Sequence, residues 1–294
     1  MARVFPAFLR RWACITADAY GHFNDADGWA IASHIALSIL LALFPFLILV
    51  TLLAASFLGS KELADEVARL LLETWPEEVA GPIAREIRTV LTTTRGDVLT
   101  ISFALALFFA SSGIESLRIG LNRAYGMTER RSWLLLRLES IMYVLLGAIA
   151  LLAMAFLIVL GPLLFAAGRR FAPTLAPMEW DITVARYAVA SAILIIALFV
   201  AHKWLPVGRR RFSEIAPGII VTMILWLASG WAFGRYLAEF PEIYASYYGG
   251  LASVMIALVF LYLTSSIFVF GGELNAAILR TRTPSTSAAP PPTQ

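Results

Sequence analysis

Six stretches of this chain, approximately 31–58, 98–120, 139–167, 183–203, 214–237 and 248–279, are apolar over lengths that a water-facing surface does not accommodate. About 20 helical residues cross a hydrocarbon layer roughly 30 Å thick, and each stretch reaches that length. Inside such a layer backbone N–H and C=O groups have no water to bond, which excludes an open sheet edge. The stretches are also too long and too evenly apolar for tilted barrel strands, so helices remain. Composition agrees, with 60% hydrophobic and 15% charged residues in 294, against about 45–50% and 25% in a soluble domain. The expectation is an all-α, polytopic integral membrane protein with six transmembrane helices over 31–280, too little chain being left for a separate large soluble domain. An ordinary cytosolic enzyme is excluded.

Basic residues beside the spans set the expected orientation. Placing the N-terminus, the 118–137 and 203–211 connections and the C-terminus on the cytoplasmic side puts 14 Lys and Arg inside and 9 outside. The clusters Arg130–Arg131 and Arg209–Arg210–Arg211 fall in short loops, where the rule applies best. Both termini are therefore expected in the cytoplasm. Trp29, Trp133, Trp180, Trp204, Tyr236, Tyr244, Tyr247 and Tyr248 near the span ends agree with an interfacial aromatic belt.

The segments outside the spans differ in kind. Residues 1–30 lack the apolar core and small-residue cleavage site of a secretory signal. Val4, Phe8, Trp12, Ile15, Ala19 and Phe23 recur every three or four residues, which predicts an amphipathic helix lying on the membrane interface or packed on the bundle. The 60–97 connection holds two apolar stripes, Leu63, Val67, Leu70 and Leu71, then Ile83, Ile87, Val90 and Leu91, separated by Pro76 and Pro82. It reads as an external helical hairpin between the first and second spans, either a cap or a gate and partner surface. The Pro/Ser/Thr-rich tail 281–294 is expected to be disordered.

Chemistry-bearing residues are sparse. Cys14 is the one cysteine, and His22, His34 and His202 show no metal-binding spacing, so neither an internal disulfide nor a metal or other cofactor is expected. The polar residues within apolar runs carry the remaining information, because an ionisable group inside a span costs about 2.5–3.5 kcal/mol on insertion scales. The second span ends in FFASSGIESLRIGLNRAYG, where Ser112 and Gly113 permit close approach, Glu115 and Arg118 stand at i, i+3, and Asn122 follows one turn later. The last span ends in SSIFVFGGELNAAILR, where Gly272 precedes Glu273 and Asn275. If the second and sixth spans are neighbours, these residues form either a polar binding patch or an ion-pair network that locks helices. Pro45, Gly161–Pro162 and Pro217–Gly218 mark kinks, while Gly230 with Gly234 and Gly249 with Ser253 and Ala257 mark small packing faces. His34 and His202 read as hydrogen-bonded structural histidines. Lys203 and Trp204 read as interfacial anchors.

HIALSILLALFPFLILV, SSGIESLRIGLNRAYG with its basic loop, the KWLP turn and later PG, YYGGLASVMIALVFLYL and the closing GGELNAAI together resemble the YihY/BrkB family of bacterial inner-membrane proteins over about residues 20–280. Matching positions are Pro45, Ser112, Gly113, Asn122, Tyr125, Pro206, Gly218, Tyr248, Gly249, Gly272, Glu273 and Asn275. The resemblance implies a six-helix inner-membrane fold, and a family variously called virulence factor BrkB and ribonuclease BN and connected with moving envelope lipids. The ribonuclease label does not suit this sequence, which shows no metal-ligand cluster or extended nucleic-acid face. The leading expectation is a non-enzymatic transporter or flippase-like protein for an anionic envelope lipid, binding through Glu115, Arg118, Asn122, Glu273 and Asn275. The alternatives are an envelope scaffold that docks a protein partner or forms a homo-oligomer, and a small-solute exporter. No Walker motif is present. Membrane lipids are the expected partners, with no role for nucleic acid.

Overall fold

The computed structural model describes residues 7–58, 69, 96–157, 179–239 and 251–282. Seven long helices account for nearly all of them: α1 (Ala7–Asp25), α2 (Gly28–Leu58), α3 (Gly96–Ala124), α4 (Trp133–Ala155), α5 (Glu179–Trp204), α6 (Phe212–Glu239) and α7 (Ala252–Arg282). No strand occurs among the described residues. Five helical stretches are long and apolar enough to cross a membrane, at 103–124, 133–154, 180–204, 212–239 and 252–281. A sixth candidate is the α1–α2 pair, bent by 69° between Leu9–Asp25 and Gly28–Leu43. The expected hairpin in 60–97, Pro162, Gly249 and the 283–294 part of the tail lie outside the described residues.

The α1–α2 bend has a local cause. Asp27 takes a positive φ of 55°, which ends α1, and the Ala26 N–H still bonds the His22 carbonyl at 2.8 Å. Gly28 then opens α2 with the Phe23 ring so close that a Cβ would meet it at 2.5 Å. Phe23 packs edge-on against Trp29, 5.0 Å between centroids, and the Trp29 indole N–H reaches Asn24 Oδ1 at 3.0 Å. The sharp break therefore lies at 26–28, whereas Pro45 and Pro217 sit inside continuous helices.

The chain divides into two compact units. One comprises Met1–Leu40, Ser116–Arg131 and Ile195–Gln294, the other Leu41–Glu115 and Ser132–Leu194. In the first, Ile15 and Ala19 of α1 pack on Leu274, Ala277 and Ile278 of α7, with Trp12, Val221 and Phe270 around them. The amphipathic face expected for the N-terminal segment is thus buried against the protein, with Ile15, Ala19 and Phe23 all inside. Gly120 of α3 lies against Ile31 and Ile35 of α2 and Val269 of α7, and Gly272 faces Leu121 and Ala124. The ends of the second and sixth expected spans are therefore neighbours. In the second unit Leu49, Ala110 and Val144 join α2, α3 and α4, flanked by Phe46, Phe103, Leu107, Ile114 and Leu145. Gly230 and Gly234 meet nothing within 4 Å, so their small face packs on no other segment of the described chain.

Replacing Ile15 by Ala should weaken α1 docking by about 2–5 kcal/mol, the usual cost of emptying a buried Ile site. Hydrogen exchange should accelerate at least tenfold across 7–25 while 133–155 keeps its protection.

Candidate functional site

Asn275 is fully buried on α7, and both ends of its amide are used. Its Oδ1 accepts the backbone N–H of Gly218 on α6 at 2.7 Å. Its Nδ2 donates to the hydroxyl of Tyr125, just past the end of α3, at 3.2 Å. Only a residue without a Cβ fits at 218, because one added there would run into the Gly271 carbonyl and the Asn275 amide. Burial pushes the Tyr125 phenol up to about 12, so it stays neutral at any physiological pH and keeps its proton for bonding.

Asn122 has a matching role, one turn earlier on α3. Its Oδ1 accepts the Val207 N–H at 2.7 Å, and its Nδ2 donates to Glu129 Oε2 at 3.3 Å. Glu129 Oε1 in turn accepts the backbone N–H groups of Arg130 and Arg131, and the Arg131 guanidinium grips both carboxylate oxygens at 2.9 Å. This bidentate grip holds the Glu129 carboxyl down at about 2. Arg131 also reaches the Leu205 carbonyl at 3.4 Å, so one polar network ties the turns 125–132 and 205–211 to α3, α6 and α7. Arg210 adds its guanidinium over the Tyr125 ring, 3.7 Å from the centroid; burial draws it below its ordinary value.

Glu273 is 1% exposed on α7, and its Oε2 lies 2.8 Å from Nδ1 of His22 on α1. One layer further out, Asp18 and Arg280 pair at 3.0 Å. Arg118 is buried in the same unit. Glu115 belongs to the other unit, where its Oε2 meets Arg137 Nη1 at 2.8 Å. Arg137 also donates to the Phe108 carbonyl at 2.7 Å and lies 3.6 Å over the Phe108 ring. Ser112 and Gly113 belong to this second unit as well.

The expected site residues lie on both sides of the boundary between the units, which crosses α3 between Glu115 and Ser116. Arg118, Asn122, Glu273 and Asn275 fall in one unit, Glu115 with Ser112 and Gly113 in the other. Each carboxylate has a partner outside the expected set, His22 for Glu273 and Arg137 for Glu115. His22, Glu129, Arg131, Arg137 and Arg210 were not singled out from sequence as site residues. For Glu129 the signal was present in the run Glu-Arg-Arg at 129–131; for His22 and Arg137 nothing local pointed to the partner. His202 departs from a hydrogen-bonded structural histidine, since neither ring nitrogen has a partner among the described residues. Lys203 sits 3.3 Å over the Phe212 ring beside a half-exposed Trp204.

Two outcomes follow from this geometry. Gly218→Ala should break the Asn275 bond and overpack the α6–α7 contact, costing about 1–3 kcal/mol and lowering the melting temperature in detergent by several degrees. The Glu129 grip contributes fully above the ordinary carboxyl value of 4.5 and fades as pH falls toward about 2. The melting difference between wild type and Glu129→Gln should therefore be full at pH 7, smaller at pH 3, and lost only as pH falls through about 2.

Comparison with known proteins fits a polytopic chain of this kind. Residues 19–294 match the family described as Virulence factor BrkB, and the chain belongs to that family. It is 25% identical to the ribonuclease-like protein YfkH of Bacillus subtilis over 89% of this chain and 94% of that relative. It is 27% identical to a UPF0761 membrane protein of Rhodospirillum centenum over 95% of this chain, which spans 60% of that relative's length. A UPF0761 membrane protein of Coxiella burnetii is 24% identical over 92% of this chain and 95% of its own. No solved structure matches.

Proposed function

We propose that this BrkB-family membrane protein is a non-enzymatic transporter, flippase-like in action, for an anionic envelope lipid in the bacterial inner membrane, with both termini cytoplasmic. The observation that carries the reading is the buried Glu273 in an apolar helix, held by a half-exposed His22 beside the fully buried Asn275. A buried carboxylate in a span is costly to keep unless it works. The same unit holds what a phosphate-bearing headgroup needs: the buried Arg118 and Arg210 charges, and exposed Arg130, Arg209 and Arg211 to concentrate anionic lipid at the surface. A partly buried Glu115 pairs with the buried Arg137 in the other unit.

The test is reconstitution in liposomes carrying a fluorescent anionic phospholipid in one leaflet. Wild-type protein should accelerate its appearance in the opposite leaflet, with or without a proton gradient. Glu273→Gln should slow that movement at least tenfold at unchanged protein level. No movement by the wild type under either condition would sink the proposal.

The open Gly230–Gly234 face beside a 73% exposed Trp231 favours a second reading, in which α6 pairs with a second copy or an envelope protein as a scaffold. A cross-linker placed beside Trp231 that captures a second copy or an envelope protein in cells would favour the scaffold.

A further inference from the structure

His202 and Arg210 carry buried hydrogen-bonding atoms that the network above leaves unused. His202, in the last turn of α5, is 0% exposed, with the Phe268 ring 4.9 Å from its own, and neither Nδ1 nor Nε2 has a partner among the described residues. Arg210 is 9% exposed in the 205–211 turn; its Nη2 donates to the Val207 carbonyl at 2.9 Å, while Nη1 is buried without a partner among those residues. Both residues belong to one unit, and the Arg210 guanidinium is close enough for its charge to be felt at the His202 ring. Two other groups face that charge, Tyr125 and Glu214. Neither meets Nη1: the Tyr125 hydroxyl accepts from Asn275, and Glu214 Oε2 accepts the Arg211 N–H at 2.8 Å. The surrounding sequence, KWLPVGRRR at 203–211, has four basic residues and no acidic one.

Buried donors and acceptors without partners lose their hydration and gain nothing in exchange. A guanidinium needs an oxygen acceptor, and its planar fork suits phosphate and carboxylate best. An imidazole beside it offers a donor on one nitrogen at least. We propose that His202 and Arg210 form a buried binding site for a phosphate oxyanion, closed by the 205–211 turn. The site deepens the proposed function and rests on it only for the source of the phosphate, a lipid headgroup or free phosphate. Arg210 supplies the charge-assisted donor from Nη1 and His202 the second contact. Gly208, at φ 103°, lets the turn fold back over the anion in a conformation that other residues rarely adopt.

The experiment uses the full chain in phosphate-free maltoside detergent, melted with increasing inorganic phosphate or with a soluble short-chain anionic phospholipid, against sodium chloride at matched ionic strength. Either phosphate probe should raise the melting temperature beyond chloride; inorganic phosphate doing so identifies free phosphate, the short-chain lipid alone identifies the headgroup. His202→Phe fills the same space without polar atoms, so it should melt no lower than wild type without ligand yet need at least tenfold more phosphate probe for the same shift. Arg210→Gln should lose the shift, and Arg210→Lys should keep some of it. Absence of any shift beyond chloride, or an equal shift in His202→Phe and Arg210→Gln, overturns the site. Binding without lipid movement sinks the transport reading and leaves this site standing; movement by wild type with no phosphate response does the reverse.

Discussion

A carboxamide side chain, fully buried on α7, is the joint on which one unit of this protein depends. Asn275 accepts a backbone N–H from α6 and donates to a phenol at the end of α3, so one planar group fixes three elements at hydrogen-bonding distance. In lipid a missed bond has no water to replace it, which makes the fit of that amide decisive. The surrounding residues suit that fit: Gly218 and Gly271 leave no side chain between α6 and α7, and burial keeps Tyr125 protonated. Asn122 repeats the device, serving the Val207 N–H and the Glu129 carboxylate together. Two amides thus substitute for the solvent that the two turns would otherwise require.

Charge is managed by a different rule. Glu273, Glu115 and Glu129 each meet a basic or imidazole group at 2.8–2.9 Å, but their surroundings differ. Glu129 lies in a turn and is anchored by its own neighbours, which makes it structural. Glu115 and Glu273 lie within long apolar helices, where a hydrophobic pair would insert at lower cost. Retaining an ionisable pair in such a place is the physical reason to look there for function. The aromatic faces of Phe108, Tyr125 and Phe212 help to hold the cations Arg137, Arg210 and Lys203, stabilising positive charge without a carboxylate for each.

Helices were legible from sequence because span length and apolarity are local properties, and Asn122, Glu273 and Asn275 stood out as polar residues in apolar runs. Their partners did not. His22 is 251 residues from Glu273, Val207 is 85 from Asn122, and Gly218 offers Asn275 a backbone N–H that no side-chain pattern advertises. For Glu115, Arg118 on the same helix face was visible, and Arg137 from the next helix, which pairs with it, was not. Pro45 and Pro217 lie inside continuous helices, and the sharp corner is made by Asp27 and Gly28, a pair that reads as an ordinary polar turn.

That corner also sets an order of assembly. By turning α1 back along α7, it makes α1 wait for a helix synthesised much later: the Asp18–Arg280 and His22–Glu273 contacts span 262 and 251 residues. Throughout translation and insertion α1 has an apolar face with no permanent place, and it gains one only after α7 has emerged. Closing so long a loop adds little to the entropic cost, since that cost grows only logarithmically with length, but it defers the contact to the end of biogenesis. The two helices are thereby fastened together only when everything between them has been made.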